Sequence, residues 1–319
     1  MLAGDQARGP PPHAGTIIGG AYRIQRPLAR GGTATIYLGE RYPAGGEVVI
    51  KLARADTMDN PHVLAHLERE AALLARLAHP HCVTLISAGT SEGWPYLVLQ
   101  RVEGESLTRL ISATRLEPER SVGLTRQILS ALEHAHSRGV LHQDVKPDNV
   151  HISRTGDGYE LATLLDFGAA RAAPLGGGAG SPHPLPLHPD PEARGMVIGT
   201  PSVMAPEQIR LEPIDARADV YAAGILLYQL LVGHKPFAAS DTRELLLKHL
   251  YEAPIPPRRA LGRSHLSAAL EHVVLRALAK DAADRFDSCA AMASTLAETP
   301  EGRGKRRRRA ARSLRGLAV

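Results

Sequence analysis

Between Val140 and Asn149 the chain reads Val-Leu-His-Gln-Asp-Val-Lys-Pro-Asp-Asn, so that His142, Asp144, Lys146 and Asn149 crowd into one short stretch. The apolar-periodic segment Ser121 to His136 precedes it and the strand-like Val150-His151-Ile152 follows. A polar turn would explain one or two such groups; this many at fixed offsets beside buried elements points to a reaction site. A second pair of charges lies upstream. Lys51 interrupts the strand-like Glu47 to Leu52 and, by alternation, shares a face with Val49. A lysine that deep needs an anionic partner, unless it reaches water from an edge strand. Glu70 sits on the stripe of Leu64, Leu67, Ala71, Leu74 and Leu77, either as an inward carboxylate or at the margin of the stripe. Gly31 and Gly32, between two β-prone runs, let backbone N–H groups approach a phosphate, or simply form a hairpin turn.

The elements that must position these groups are legible. Asn60 and Pro61 open the helix that carries Glu70, and His79-Pro80-His81 closes it. Val83 to Ala88 and Tyr96 to Leu99 read as a hairpin across Ser91 to Pro95. Helices are expected over Ser106 to Ser112 and Ser121 to Arg138, the second ended by Gly139, and a strand over Leu161 to Leu165. Val220 to Val232 reads as a buried helix, too short to span a membrane. The 319 residues suffice for a sizeable core. Cys82 and Cys289 have no disulfide or metal spacing, and Met1 to Gly15 lacks the apolar core of a secretion signal, so a cytoplasmic, reducing setting is expected. The net charge of +5 owes much to the last fifteen residues and says little about the folded part.

The spacing H-x-D-x-K-x-x-N resembles the catalytic loop of protein kinases, and Asp166-Phe167-Gly168 matches their D-F-G without substitution. Met204-Ala205-Pro206-Glu207 matches A-P-E, and Ile50-Lys51 the end of V-A-I-K. The chain thus resembles bacterial, eukaryotic-like Ser/Thr protein kinases over roughly Tyr22 to Glu298. The resemblance implies an α+β, bilobal fold, with a small antiparallel β lobe bearing one helix and a larger, mainly helical lobe. It implies residues 1–18 as a disordered Pro/Gly-rich start, 19–298 as the kinase domain divided near 101/102, and 299–319 as a basic disordered tail. It further implies ATP and Mg2+ as cofactors, and transfer of the ATP γ-phosphoryl group to Ser or Thr hydroxyls of protein substrates. Lys51 and Glu70 would position the phosphates, Asn149 and Asp166 would bind magnesium, Asp144 would orient the nucleophile and Lys146 would stabilise the moving charge. The nucleotide would be lined by Ala29, Gly31, Gly32, Ala34, Ile36, Val49, Lys51 and Leu99, with Gln100, Arg101 and Val102 as the hinge facing adenine. Asp219 would anchor the loop backbone, Arg285 would pair with Glu207, and Lys146 with Thr200 would mark a Ser/Thr enzyme.

Several departures qualify the resemblance. Of the three glycines in G-x-G-x-x-G only Gly31 is kept, beside Ala29 and Ala34, which implies a stiffer loop. Val49 replaces an Ala and narrows the roof of the pocket. Gln143 stands where the family usually has an Arg that gathers an activation-loop phosphate. From Ala169 to Ile198 the only hydroxyl is Ser181, while Glu192 and Arg194 stand where relatives carry threonines. Activity independent of activation-loop phosphorylation is therefore expected, with Glu192 as a fixed negative charge toward Arg171. The competing reading is a pseudokinase acting as a nucleotide-binding scaffold. His183 and His188 are expected as solvated loop residues. The run Lys305 to Arg309, with Arg312 and Arg315, is expected as a solvated tail able to make weak contact with an anionic surface. Oligomeric state is left open.

Overall fold

A computed structural model describes residues 9–58, 60–172, 200–262 and 266–303. The chain divides into two compact units, Met1–Val102 and Glu103–Val319.

The first unit is a six-stranded antiparallel sheet with one long helix. Its strands are β1 (Ile17–Ile18), β2 (Tyr22–Arg30), β3 (Ala34–Arg41), β4 (Glu47–Ala53), β5 (Leu85–Ser91) and β6 (Trp94–Gln100), in the order β1-β2-β3-β4-β6-β5; α1 spans Pro61–Leu74. β4 alternates as expected, with Val48, Ile50 and Leu52 buried and Val49 and Lys51 half-buried. Facing residues in an antiparallel ladder share a face. The register Ala29↔Ile36, Ile36↔Lys51, Leu38↔Val49 and Val49↔Leu99 therefore gathers Ala29, Ile36, Val49, Lys51 and Leu99 on one side of the sheet. Val48, Ile50, Leu52, Tyr96 and Val98 fill the other. The β5–β6 turn is tighter than expected. Glu92 and Gly93, at φ of 50° and 82°, carry it alone, and Pro95 joins the strand opposite Thr90. The ladder with β4 stops at Tyr96, so the missing N–H of Pro95 interrupts no bond to that strand.

The second unit holds β7 (Glu105–Ser106), α2 (Leu107–Ala113), α3 (Pro118–His136), β8 (Val140–Leu141), β9 (Val150–Arg154), β10 (Glu160–Leu164) and β11 (Arg171–Ala172). These are followed by α4 (Pro206–Ile209), α5 (Arg217–Val232), α6 (Thr242–Tyr251), α7 (Pro257–Ala260), α8 (Ala268–Ala277) and α9 (Cys289–Glu298). α5 is buried on nearly every side, as a helix apolar all round should be, and packs against α3 and α8. A Cβ at Gly224 would lie 2.8 Å from the Ala277 methyl, so only glycine permits this approach of α5 to α8. β9 and β10 form a hairpin whose sheet is completed by β7, and β11 pairs with β8.

Both ends of the folded body differ from expectation. Residues 9–18 were expected to be disordered, yet Ile18 is buried and β1 pairs with β2. The Gly9 N–H donates to the Glu92 carbonyl, and the Trp94 indole N–H donates to the Gly9 carbonyl. Sequence composition signals disorder, but Ile17-Ile18 supplies an apolar anchor. At the other end Thr299 and Glu301 are buried, and the Glu301 carboxylate accepts bonds from the Ser267 N–H and hydroxyl at 2.7 and 2.8 Å. Ordered packing thus continues past Glu298, through Glu301.

Candidate active site

The second unit builds its polar loop on Asp219, in the first turn of α5. Its carboxylate accepts from the His142 and Gln143 N–H groups, both at 2.8 Å, and from His136 Nε2 at 2.7 Å. Burial would raise this carboxyl's pKa, but the hydrogen bonds and the neighbouring His136 and His142 hold it below the usual carboxylate range. Two adjacent N–H groups can converge on one carboxylate only if the backbone turns sharply. Gln143 makes the turn, at a left-handed φ of 64°. His142 is fully buried, which lowers its pKa; Nδ1 accepts from the Asp144 N–H, and the ring meets Phe167 edge-on at 4.7 Å.

This pinned backbone presents Asp144. Its Oδ2 accepts from Lys146 Nζ at 2.6 Å and Asn149 Nδ2 at 2.9 Å, whereas Oδ1 is buried with no partner among the described residues. Lys146 Nζ donates also to Thr200 Oγ1 at 2.6 Å, joining residues 54 positions apart. The Asn149 amide nitrogen donates a second bond to the Asp144 carbonyl, which leaves its oxygen to face elsewhere. Asp166 is brought beside Asn149 by the β9–β10 hairpin, where the Leu165 N–H donates to the Asn149 carbonyl at 2.9 Å. Asp166 is exposed, and its Oδ1 accepts from the Gly168 N–H. Among the described residues no cluster of three or more His, Cys, Asp or Glu could hold a metal. One carboxylate and one amide oxygen suit magnesium, whose shell phosphate and water oxygens would complete.

In the first unit Lys51 Nζ donates to both oxygens of Glu70 at 2.7 Å, and both side chains are largely buried. α1 turns Glu70 inward together with Val63, Leu67, Leu73 and Leu74, and Leu77, also buried, lies beyond its end; the expected Leu64 and Ala71 lie only half-buried at the edge. Of the sequence-derived nucleotide residues, Ala29, Ile36, Val49, Lys51 and Leu99 share one sheet face, and Ala34 belongs to it by alternation from Ile36. Gly31 and Gly32 are exposed, and their carbonyls accept from Arg54 Nη1 at 2.8 and 3.2 Å. Arg54 in turn pairs with Asp56, which raises the guanidinium's pKa and lowers the carboxyl's. In the hinge segment the Gln100 N–H is committed to the Thr84 carbonyl at 2.9 Å. The Gln100 N–H is therefore not available to a ligand.

Sequence reasoning missed two supporting residues. His136 had a signal, a histidine in the last turn of the helix before the loop; Arg54 had none, since only the fold brings it under the glycines. The expectations for Ser181, His183, His188, Glu192, Arg194 and the Lys305 to Arg315 run fall outside the described residues.

The protein kinase domain family matches residues 22–296. Serine/threonine-protein kinase Pkn1 of Myxococcus xanthus is 35% identical over 277 residues, 87% of this chain and 38% of that protein. Pkn3 of the same organism is 32% identical over 309 residues, 96% and 55% respectively. PknB of Mycobacterium tuberculosis is 32% identical over 286 residues, 88% and 43%. The chain therefore spans about four-tenths to just over half the length of these relatives. The kinase domain of Mycobacterium tuberculosis PknI has the same fold, with a TM-score of 0.66 at 24% identity, covering 90% of this chain and 98% of that one. With a family match across both units and the loop geometry around Asp144, this chain belongs to the protein kinase domain family.

Proposed function

We propose that this chain is a serine/threonine protein kinase that transfers the γ-phosphoryl group of ATP to protein hydroxyls. The observation that carries the proposal is Asp144, whose carboxylate is held by Lys146 and Asn149 on a loop backbone fixed by Asp219. A serine or threonine hydroxyl that donates to the Asp144 carboxylate is thereby aimed for in-line attack. Lys146, which donates to the Thr200 hydroxyl, is assigned the charge moving between phosphate and acceptor. Bound magnesium would supply charge neutralisation on the phosphates, and Asn149 and Asp166 are the residues to hold it. Lys51, fixed by Glu70, is assigned the nucleotide phosphates, and Ile36, Val49 and Leu99 the adenine faces. The relatives' names support the Ser/Thr class.

Gln143 supports activity that needs no activation-loop phosphate. Its side chain is uncharged and 4% exposed, so it offers no cationic seat for a phosphate. The alternative, a nucleotide-binding scaffold without turnover, draws support from the Arg54 clamp on the altered glycine loop. Labelled ATP and magnesium, offered with a generic basic protein to the wild type and to Asp144→Asn, separate the two. Transfer by the wild type that falls at least a hundredfold in the variant fits the kinase. Nucleotide binding by folded protein without transfer overturns it.

A further inference from the structure

The turn between β2 and β3 is gripped by the segment that follows β4. Arg54 Nη1 donates to the Gly31 carbonyl at 2.8 Å and to the Gly32 carbonyl at 3.2 Å. The Arg54 backbone N–H donates to the Thr33 carbonyl at 3.1 Å, and the Thr57 hydroxyl donates to the same oxygen at 3.3 Å. Three successive carbonyls are thus engaged by residues 54–57. The guanidinium is itself held in place: Nε and Nη2 donate to the Asp56 carboxylate, which also accepts from Arg30 Nη2 at 3.2 Å. With one edge on Asp56 and Nη1 on two carbonyls, Arg54 acts on the loop and not on a ligand.

In a planar trans peptide the carbonyl of one residue and the N–H of the next point in opposite directions. Fixing the Gly31 and Gly32 carbonyls toward Arg54 therefore turns the N–H groups of Gly32 and Thr33 away from it. Neither has an acceptor among the described residues, whereas the Gly31 N–H closes the turn on the Ala34 carbonyl at 2.9 Å. The clamp comes from the reverse of the sheet. Arg30 faces Thr35 one step along from the pair Ala29↔Ile36, so alternation places it opposite the side of Ile36, Val49 and Lys51. A cavity on that reverse side is lined by Arg30, Thr35, Tyr37, Leu52, Arg54 and Asp56. The unpaired N–H groups are directed to the Lys51 side. Two successive N–H groups in a turn make a concavity for an anion. A cation on the carbonyl of the same peptide polarises it and strengthens each N–H as a donor.

We propose that Arg54 is a positioning residue for the nucleotide phosphates: by clamping Gly31 and Gly32 it aims the Gly32 and Thr33 N–H groups at a bound nucleoside di- or triphosphate, and Asp56 sets the clamp. The proposal rests on the assignment of this sheet face to ATP, and it holds whether or not transfer follows binding. Its consequence is selective. Arg54 contributes to the binding of the phosphates and not to that of the nucleoside.

Calorimetric titration of the full chain with magnesium ATP, magnesium ADP and adenosine tests it, in wild type, Arg54→Ala, Arg54→Lys and Asp56→Asn. Arg54→Ala should weaken ATP and ADP roughly tenfold and leave adenosine within about twofold of wild type. Arg54→Lys keeps a cation able to reach the carbonyls and should recover most of the loss. Asp56→Asn should give a smaller loss in the same direction. Retained adenosine binding shows that a variant is folded. Equal weakening of adenosine and ATP would make Arg54 merely structural and overturn the proposal, as would unchanged ATP affinity in Arg54→Ala. Wild type that binds ATP no more tightly than adenosine overturns it too, since the phosphates then make no use of the loop. The expected dependence on Arg54 without transfer of label to protein upholds the proposal and removes only the kinase reading.

Discussion

Arg285 grips Glu207 through two parallel hydrogen bonds of 2.7 and 2.8 Å, across 78 residues of sequence and out of contact with solvent. The remaining guanidinium donors are also placed: Nε on the Ala279 carbonyl, Nη1 on that of Arg217 and Nη2 on that of Lys280. The cation lies 4.8 Å from the Tyr221 ring centroid. Such a charge is tolerable in the interior because every donor is met.

Arg285→Lys should therefore behave as a disruptive change. Lysine cannot reproduce the fork, and Glu207 would be left buried with a poor partner. The expected loss is about 3–5 kcal/mol, read as a fall in Tm on the order of ten degrees. A shift within one degree in scanning calorimetry would show that the pair does not support the fold.

Glu70→Gln removes the charge that holds Lys51. At a side-chain exposure of 12%, the ammonium would lose the carboxylate that grips it through both oxygens. In phosphoryl-transfer assays the variant should lose roughly a hundredfold in kcat/KM for ATP, an effect on the order of 3 kcal/mol in transition-state binding. Unchanged kinetics would remove Lys51 and Glu70 from the nucleotide site.

His249 supplies a pH prediction. Burial first, then the nearby Lys280 and Lys235, push its pKa down from 6.5 to about 4, and its Nδ1 is paired with the Tyr221 hydroxyl at 2.9 Å. Between pH 6.5 and 4 the unfolded chain takes up a proton that the folded chain refuses, so stability falls as pH drops through that window. The contribution is roughly 3 kcal/mol at most. Buried His142, also lowered, acts in the same sense, so the measurement is a difference. Urea unfolding at pH 7.5, 6 and 5 should give a shallower loss for His249→Gln than for the wild type. Parallel pH profiles would refute the assignment.

Gln143 bears on regulation. Phosphatase treatment of the purified wild type should leave its transfer rate within twofold. Gln143→Arg would place a charge where the residue is only 4% exposed, so it should lower stability. A wild-type rate that collapses after dephosphorylation, and returns after rephosphorylation within residues 170–200, would be incompatible with the proposed independence.

Local order in the chain was enough to place the chemistry. The offsets among His142, Asp144, Lys146 and Asn149, and the intact Asp166-Phe167-Gly168, are set by the length of a loop and a hairpin, and such local constraints are written in consecutive residues. The alternation of β4 likewise turned Lys51 and Val49 to one face. What only the tertiary structure decided is which distant groups meet. Arg54 reaches the carbonyls of Gly31 and Gly32, His136 joins Asp219, and Lys146 finds Thr200. Burial of Ile18 and Glu301 likewise carried the folded body past both ends that composition suggested. These contacts depend on how strands and helices pack, and packing energy is a property of the assembled core rather than of any window of sequence.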